Sequence, residues 1–142
     1  MVEVYCKKYK HSYRLKRRIF DTLLDYSNGN KERCRKHGCE CELIFEFPFG
    51  LDVKHNRSTL LECFAPKQPQ KWHTKQGDKV IFYPFLVIFK RHSRNRAIWL
   101  PYWHVVKSKK GVKYKYGQWA PYMDIKLFKD LYRQAAKKGY FK

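Results

Sequence analysis

The sequence predicts an α+β fold: a mostly antiparallel sheet, with a meander in the C-terminal half, packed against two helices in a single domain over residues 1–142. Three observations lead there. Between Lys79 and Met123, three runs rich in β-branched and aromatic residues (Val80 to Phe89, Ala97 to Val106, Val112 to Tyr116) are separated by two short polar turns, Ser93 to Arg96 and Lys107 to Gly111. Two earlier stretches alternate apolar and polar residues with period two. Two others place apolar residues at helical spacing.

In chain order, Val2, Val4 and Cys6 alternate with polar neighbours, which suits a short strand able to pair at a sheet edge. Ser12 is a candidate N-cap for a helix over Tyr13 to Tyr26, with Leu15, Ile19, Phe20, Leu23 and Leu24 on one face and Ser27-Asn28-Gly29-Asn30 as the stop. Cys41, Leu43, Phe45 and Phe47 then alternate with Glu40, Glu42, Ile44 and Glu46, a strand with one apolar and one acidic face that Pro48 and Gly50 end. Ser58 to Phe64 fits a strand or a helical turn equally, and Ala65 to Gln70 reads as a linker.

In the meander, Pro84 and Pro101 lack an N–H and so mark bulges, edges or bends. A turn centred on Arg94-Asn95 sets Phe89 opposite Leu100 and Val87 opposite Tyr102. The last element is a helix from Asp124 to Lys138. Asp124 caps it, Phe128, Leu131, Tyr132 and Ala135 form its stripe, and Gly139 is its left-handed C′ residue, with Tyr140 or Phe141 folding back as the hydrophobic contact.

Composition narrows the function. The net charge is +20, from 32 Lys and Arg against 12 Asp and Glu, while 44% hydrophobic residues are enough to build a core. The excess is uneven: residues 1–50 hold eleven basic and seven acidic side chains, residues 79–142 sixteen and two. Self-repulsion on this scale points to a polyanionic partner, nucleic acid first, with an acidic protein as the alternative. No stretch approaches the roughly 18 apolar residues of a membrane span, and no signal peptide pattern opens the chain. Five cysteines, an odd number, suggest free thiols and a cytoplasmic location.

Three constellations could carry chemistry. The first is a basic and aromatic surface made by Lys90, Arg91, Arg94, Arg96, Lys107, Lys109, Lys110, Lys113 and Lys115, with Trp99, Tyr102 and Trp103 as candidate stacking rings. About five phosphate contacts would give a log-log salt slope of roughly −3.5 on single strands and −4.5 on duplex.

The second is Cys34, His37, Cys39 and Cys41, soft donors that suit zinc or another divalent metal, with Cys6, Cys63 or a distant histidine available as a further ligand. The third is a nuclease site, either metal-dependent through Glu46, Asp52 and Lys54 or histidine-based through His104. A glycine-rich phosphate loop, a G-x-S-x-G elbow and an H-E-x-x-H helix are all absent from the sequence, which leaves kinase, serine hydrolase and zincin chemistry without a motif.

Overall fold

Alternating apolar and polar residues assemble into two antiparallel sheets joined by one bent hairpin. The computed structural model describes residues 2–46, 57–91, 95–117 and 121–141. In chain order the elements are β1 (Val2–Cys6), β2 (His11–Arg14), α1 (Ile19–Ser27), β3 (Glu42–Glu46), β4 (Arg57–Phe64), β5 (Gln70–His73), β6 (Lys79–Pro84), β7 (Leu86–Arg91), β8 (Arg96–Trp99), β9 (Tyr102–Ser108), β10 (Gly111–Tyr116), β11 (Tyr122–Asp124) and α2 (Ile125–Lys137). The first sheet runs β11-β8-β7-β4-β3-β1-β2 and the second β10-β9-β6-β5. The α+β class read from the sequence is the observed one. No helix among the described residues is long and apolar enough to cross a membrane.

The meander does not lie in one sheet. Its long hairpin keeps a single register from Lys79↔Lys107 through Pro84↔Tyr102 to Lys90↔Arg96, yet β6 and β9 belong to the four-stranded sheet while β7 and β8 belong to the seven-stranded one. The change of sheet falls where Pro84 and Pro101 deprive the ladder of donors, and the Phe85 N–H still reaches the Pro101 carbonyl at 2.8 Å. The register differs by three residues from the expected one: Phe89 faces Ala97 rather than Leu100, and Val87 faces Trp99 rather than Tyr102. Burial explains the choice. Phe89, Ala97, Val87 and Trp99 are all buried, whereas an odd slip would turn one strand's apolar set away from the core. Arg94 and Ser93, part of the expected turn, lie outside the described residues.

Among the described residues the buried core includes the aromatic side chains Phe20, Phe45, Phe85, Phe89, Trp99 and Trp103. Phe20 of α1 meets the edges of Tyr83, Phe85 and Trp103 at centroid distances of 5.1, 5.8 and 5.7 Å, and Tyr114 at 5.2 Å. Phe45 packs on Phe89 and Trp99 in the neighbouring layer. One helical side chain therefore touches strands of the four-stranded sheet and the corner of the hairpin together.

Ser12, Tyr13 and Arg14, expected to open a helix, belong instead to β2, paired with β1 from Cys6↔His11 to Glu3↔Arg14. The helix starts at Ile19 and Ser12 is not its cap. Arg18 holds the N-cap position without a side-chain cap bond; its guanidinium lies 3.7 Å above the Tyr114 ring, so tertiary contact positions this terminus.

At α2 the expected signals act as read. The Asp124 carboxylate accepts from the Lys126 N–H at 2.8 Å. Gly139, at φ 86°, donates to the Ala136 carbonyl, Tyr140 donates to that of Ala135, and the Phe141 ring folds back on Tyr132 at 4.6 Å. Ser58 to Phe64, which fits strand and helical turn equally in sequence, is strand β4, with a bulge between Leu60 and Glu62.

A candidate metal centre and a cationic sheet face

Four cysteines converge at one end of the seven-stranded sheet. Cys6 closes β1, and continuing the β1/β3 register beyond Tyr5↔Glu42 sets Cys41 opposite it. The segment between α1 and β3 supplies the others through a tight loop: Arg33 and Glu40 form a bridge, the Cys34 N–H reaches the Cys39 carbonyl at 2.8 Å, and the Gly38 N–H returns to the Cys34 carbonyl at 2.8 Å. Gly38 allows this return because it holds φ at 67°, where a side chain would be strained. The sulfurs of Cys6, Cys34, Cys39 and Cys41 all lie within 4.8 Å of one another, with Cys6 and Cys39 at 3.1 Å. A tetrahedral zinc–thiolate site has sulfurs about 3.8 Å apart, inside that span.

The thiols influence one another as such a cluster should. The hydrogen bond shared with Cys39 holds Cys6 below the usual thiol range and raises Cys39. Burial, and then the charges of Cys6, Cys34 and Cys39, push Cys41 up to about 12. A divalent cation reverses that logic, because it replaces several competing protons with one central positive charge.

Two sequence expectations change here. His37 is not in the group; its ring stacks on Tyr9 at 3.6 Å, and Cys6 takes its place. Cys63 is buried in the core, where desolvation raises it to about 12. His11, paired with Cys6 across the β1/β2 ladder, brings Nε2 within 3.3 Å of the Cys34 sulfur, an outer partner to one of the four sulfurs.

The second feature is the four-stranded sheet. Its strands hold five basic residues, Lys71, Lys79, Lys107, Lys113 and Lys115, and no acidic one. At one end a cleft of about 870 Å³ is bordered by Lys107, Lys109, Lys110 and Lys113, with Asp78 as the single carboxylate among its lining residues. Among the described residues, no ion pair involves any of these lysines.

The face turned from Phe20 bears Trp72 on β5, Phe82 on β6, and Tyr102 and His104 on β9. Adjacent rings sit 5.4 to 5.9 Å apart, and Lys115 pairs across from His104.

The surface residues expected from sequence divide between the two sheets. Lys107, Lys113 and Lys115 lie on the strands of the four-stranded sheet and Lys109 and Lys110 on the turn that joins β9 to β10, while Tyr102, half-exposed, starts β9 at the other end. Lys90, Arg91 and Arg96 belong to β7 and β8 in the other sheet, where Arg91 lies over the Tyr122 ring and donates to its hydroxyl at 3.3 Å. Arg94 lies outside the described residues. Trp99 and Trp103, expected to stack on a ligand, are 4% and 6% exposed and serve as core. Trp72 and Phe82 were missed; Trp72 sits in a four-residue strand just after the linker-like run, too short for its alternation to register.

The sequence offers two nuclease readings, one through Glu46, Asp52 and Lys54 and one through His104. Glu46 pairs with Arg57 at 3.7 Å on the seven-stranded sheet, His104 lies among rings on the other sheet, and Asp52 and Lys54 fall outside the described residues. Among the described residues the four cysteines are the one His/Cys/Asp/Glu group arranged to hold a metal ion.

Comparison with known proteins returns no match: no family model, no curated protein and no solved structure resembles the chain significantly.

Proposed function

We propose that this is a zinc-stapled nucleic-acid-binding protein whose contact surface is the four-stranded sheet and the cleft at its end. The observation behind the proposal is the segregation of charge. That sheet collects Lys71, Lys79, Lys107, Lys113 and Lys115 with no acidic residue on its strands, and Lys109 and Lys110 extend the same field into the cleft. Lysines crowded in this way repel one another, and a phosphate backbone is the partner that relieves the repulsion while releasing its own counterions.

Zinc is the metal that four soft thiolates favour, and a donor set with every position taken by protein fits a structural ion rather than a catalytic one. Outside this cluster Cys63 is also a free thiol, which suits a reducing compartment such as the cytoplasm.

The test is a salt series of oligonucleotide binding. Reversal of Lys107, Lys109 and Lys110 to Glu is expected to flatten the slope of log K against log salt by roughly one for each phosphate no longer neutralised. An acidic polypeptide run in parallel distinguishes the protein-partner alternative. No retention of nucleic acid at low salt, with retention of the polypeptide, would overturn the proposal.

A further inference from the structure

We infer that the face of the four-stranded sheet opposite the core takes unpaired bases, so that the ligand is single-stranded nucleic acid rather than duplex; the inference rests on the nucleic-acid reading just proposed. Four rings on three adjacent strands make the platform: Trp72, Phe82, Tyr102 and His104. Strand pairing places them. Phe82 lies opposite His104, Trp72 opposite Val80 and Tyr102 opposite Pro84, all projecting from the same side of the sheet.

Their contacts run among themselves, with Trp72–His104 at 5.9 Å, Phe82–His104 at 5.4 Å and Phe82–Tyr102 at 5.6 Å. The Phe20 cluster occupies the other side. Trp72 remains 43% exposed, enough to offer a ring surface.

The platform has a cationic border along β10. On β10, Lys113 and Lys115 project from the same face, opposite Val106 and His104, and both are exposed. A chain whose phosphates follow β10 would direct its bases across β9 and β6 toward Trp72. Neighbouring strands stand about 4.8 Å apart, so the rings are spread over roughly 10 Å, a spacing for splayed bases and not for a closed base-pair stack.

Gly117 adds evidence that the surface is built for this shape. A Cβ there would lie 2.1 Å from two ring carbons of Tyr102, so the absence of a side chain allows that ring to pass close against the chain. Duplex DNA or RNA hides its base faces and can use only the lysines. Single-stranded RNA and DNA both present them, and ring stacking tolerates any base.

The experiment compares binding of one sequence as single-stranded RNA, as single-stranded DNA and as duplex, at fixed salt, to the wild-type chain and to Trp72→Ala and Trp72→Phe. Far-UV circular dichroism and bound-metal content verify that each variant is folded. The wild type is expected to prefer the single strands. Trp72→Ala should lose roughly tenfold in single-strand affinity, Trp72→Phe should restore most of it, and duplex binding should change little. Equal affinity for duplex and single strand, with Trp72→Ala neutral, overturns this inference and leaves the nucleic-acid proposal intact. Failure of all three ligands to bind at low salt overturns both.

Discussion

The two sheets share a hairpin and a core but treat charge in opposite ways. The strands of the seven-stranded sheet hold five basic residues (Arg14, Arg57, Lys90, Arg91, Arg96) and five acidic ones (Glu3, Glu42, Glu46, Glu62, Asp124), whereas the four-stranded sheet has its five lysines alone. The first sheet neutralises itself locally. Lys7 pairs with Glu42, and Arg57 bonds Glu3 at 2.9 Å and Glu46 at 3.7 Å. The lesson is that a net charge of +20 is not a property of the whole surface. Five of those charges lie on strands that hold no acid, while the four-cysteine cluster sits on the balanced sheet.

The largest effect that would test this division is removal of the proposed zinc. Chelation, or Cys41→Ser, is expected to remove several kcal/mol of stability, because structural zinc binding is folding free energy. Hydrogen exchange should locate the loss in β1, β2 and β3. Equal loosening of β6 and β9 would erase the distinction between the sheets.

Next is Phe20→Ala, which deletes the ring that joins Tyr83, Phe85, Trp103 and Tyr114. A cost of about 3 to 5 kcal/mol in denaturant melts is expected. A cost under about 1 kcal/mol would mean that the sheets hold together without α1.

A third test uses the thiol that is not in the cluster. The folded state raises Cys63 to about 12 from the ordinary thiol value of 9.0. The protonated thiol is the buried form, so this contribution is complete below pH 9, where both states keep the proton. Between pH 9 and 12 the unfolded chain has released its proton and the folded chain has not, so stability falls by about 1.4 kcal/mol per pH unit. Cys63→Val should remove that part of the alkaline slope, and an unchanged slope would contradict it.

The smallest effect belongs to the balanced sheet. Arg57 is half exposed and its pairs are solvated, so Arg57→Ala should cost less than about 1 kcal/mol. It should also leave the salt slope of oligonucleotide binding unchanged, whereas Lys107, Lys109 and Lys110 should control it.

Much of this is legible in the residues alone. Period-two alternation assigns β1 and β3 their inward residues, and Asp124 with Gly139 bounds α2, because these signals act over a few residues. What stays hidden depends on distant partners. His11–Arg14 is strand because β1 lies ready to pair with it, although the spacing from Leu15 onward matches a helix. His37 is near Cys34 in sequence, but the ladder that pairs β1 with β3 brings Cys6 instead. Trp99 and Trp103 cannot be assigned to the core from composition; the register of one bent hairpin decides which rings are covered.

Strands β5 and β10 are the two rims of the four-stranded sheet, and each has backbone groups that no neighbour in the sheet engages. An open rim invites a second copy to add its own strand. Lys71 on one rim and Lys113 and Lys115 on the other make such an approach repulsive, which is how edge strands are commonly protected from aggregation. The lysines proposed to contact a polyanion therefore also keep copies of this chain from joining edge to edge.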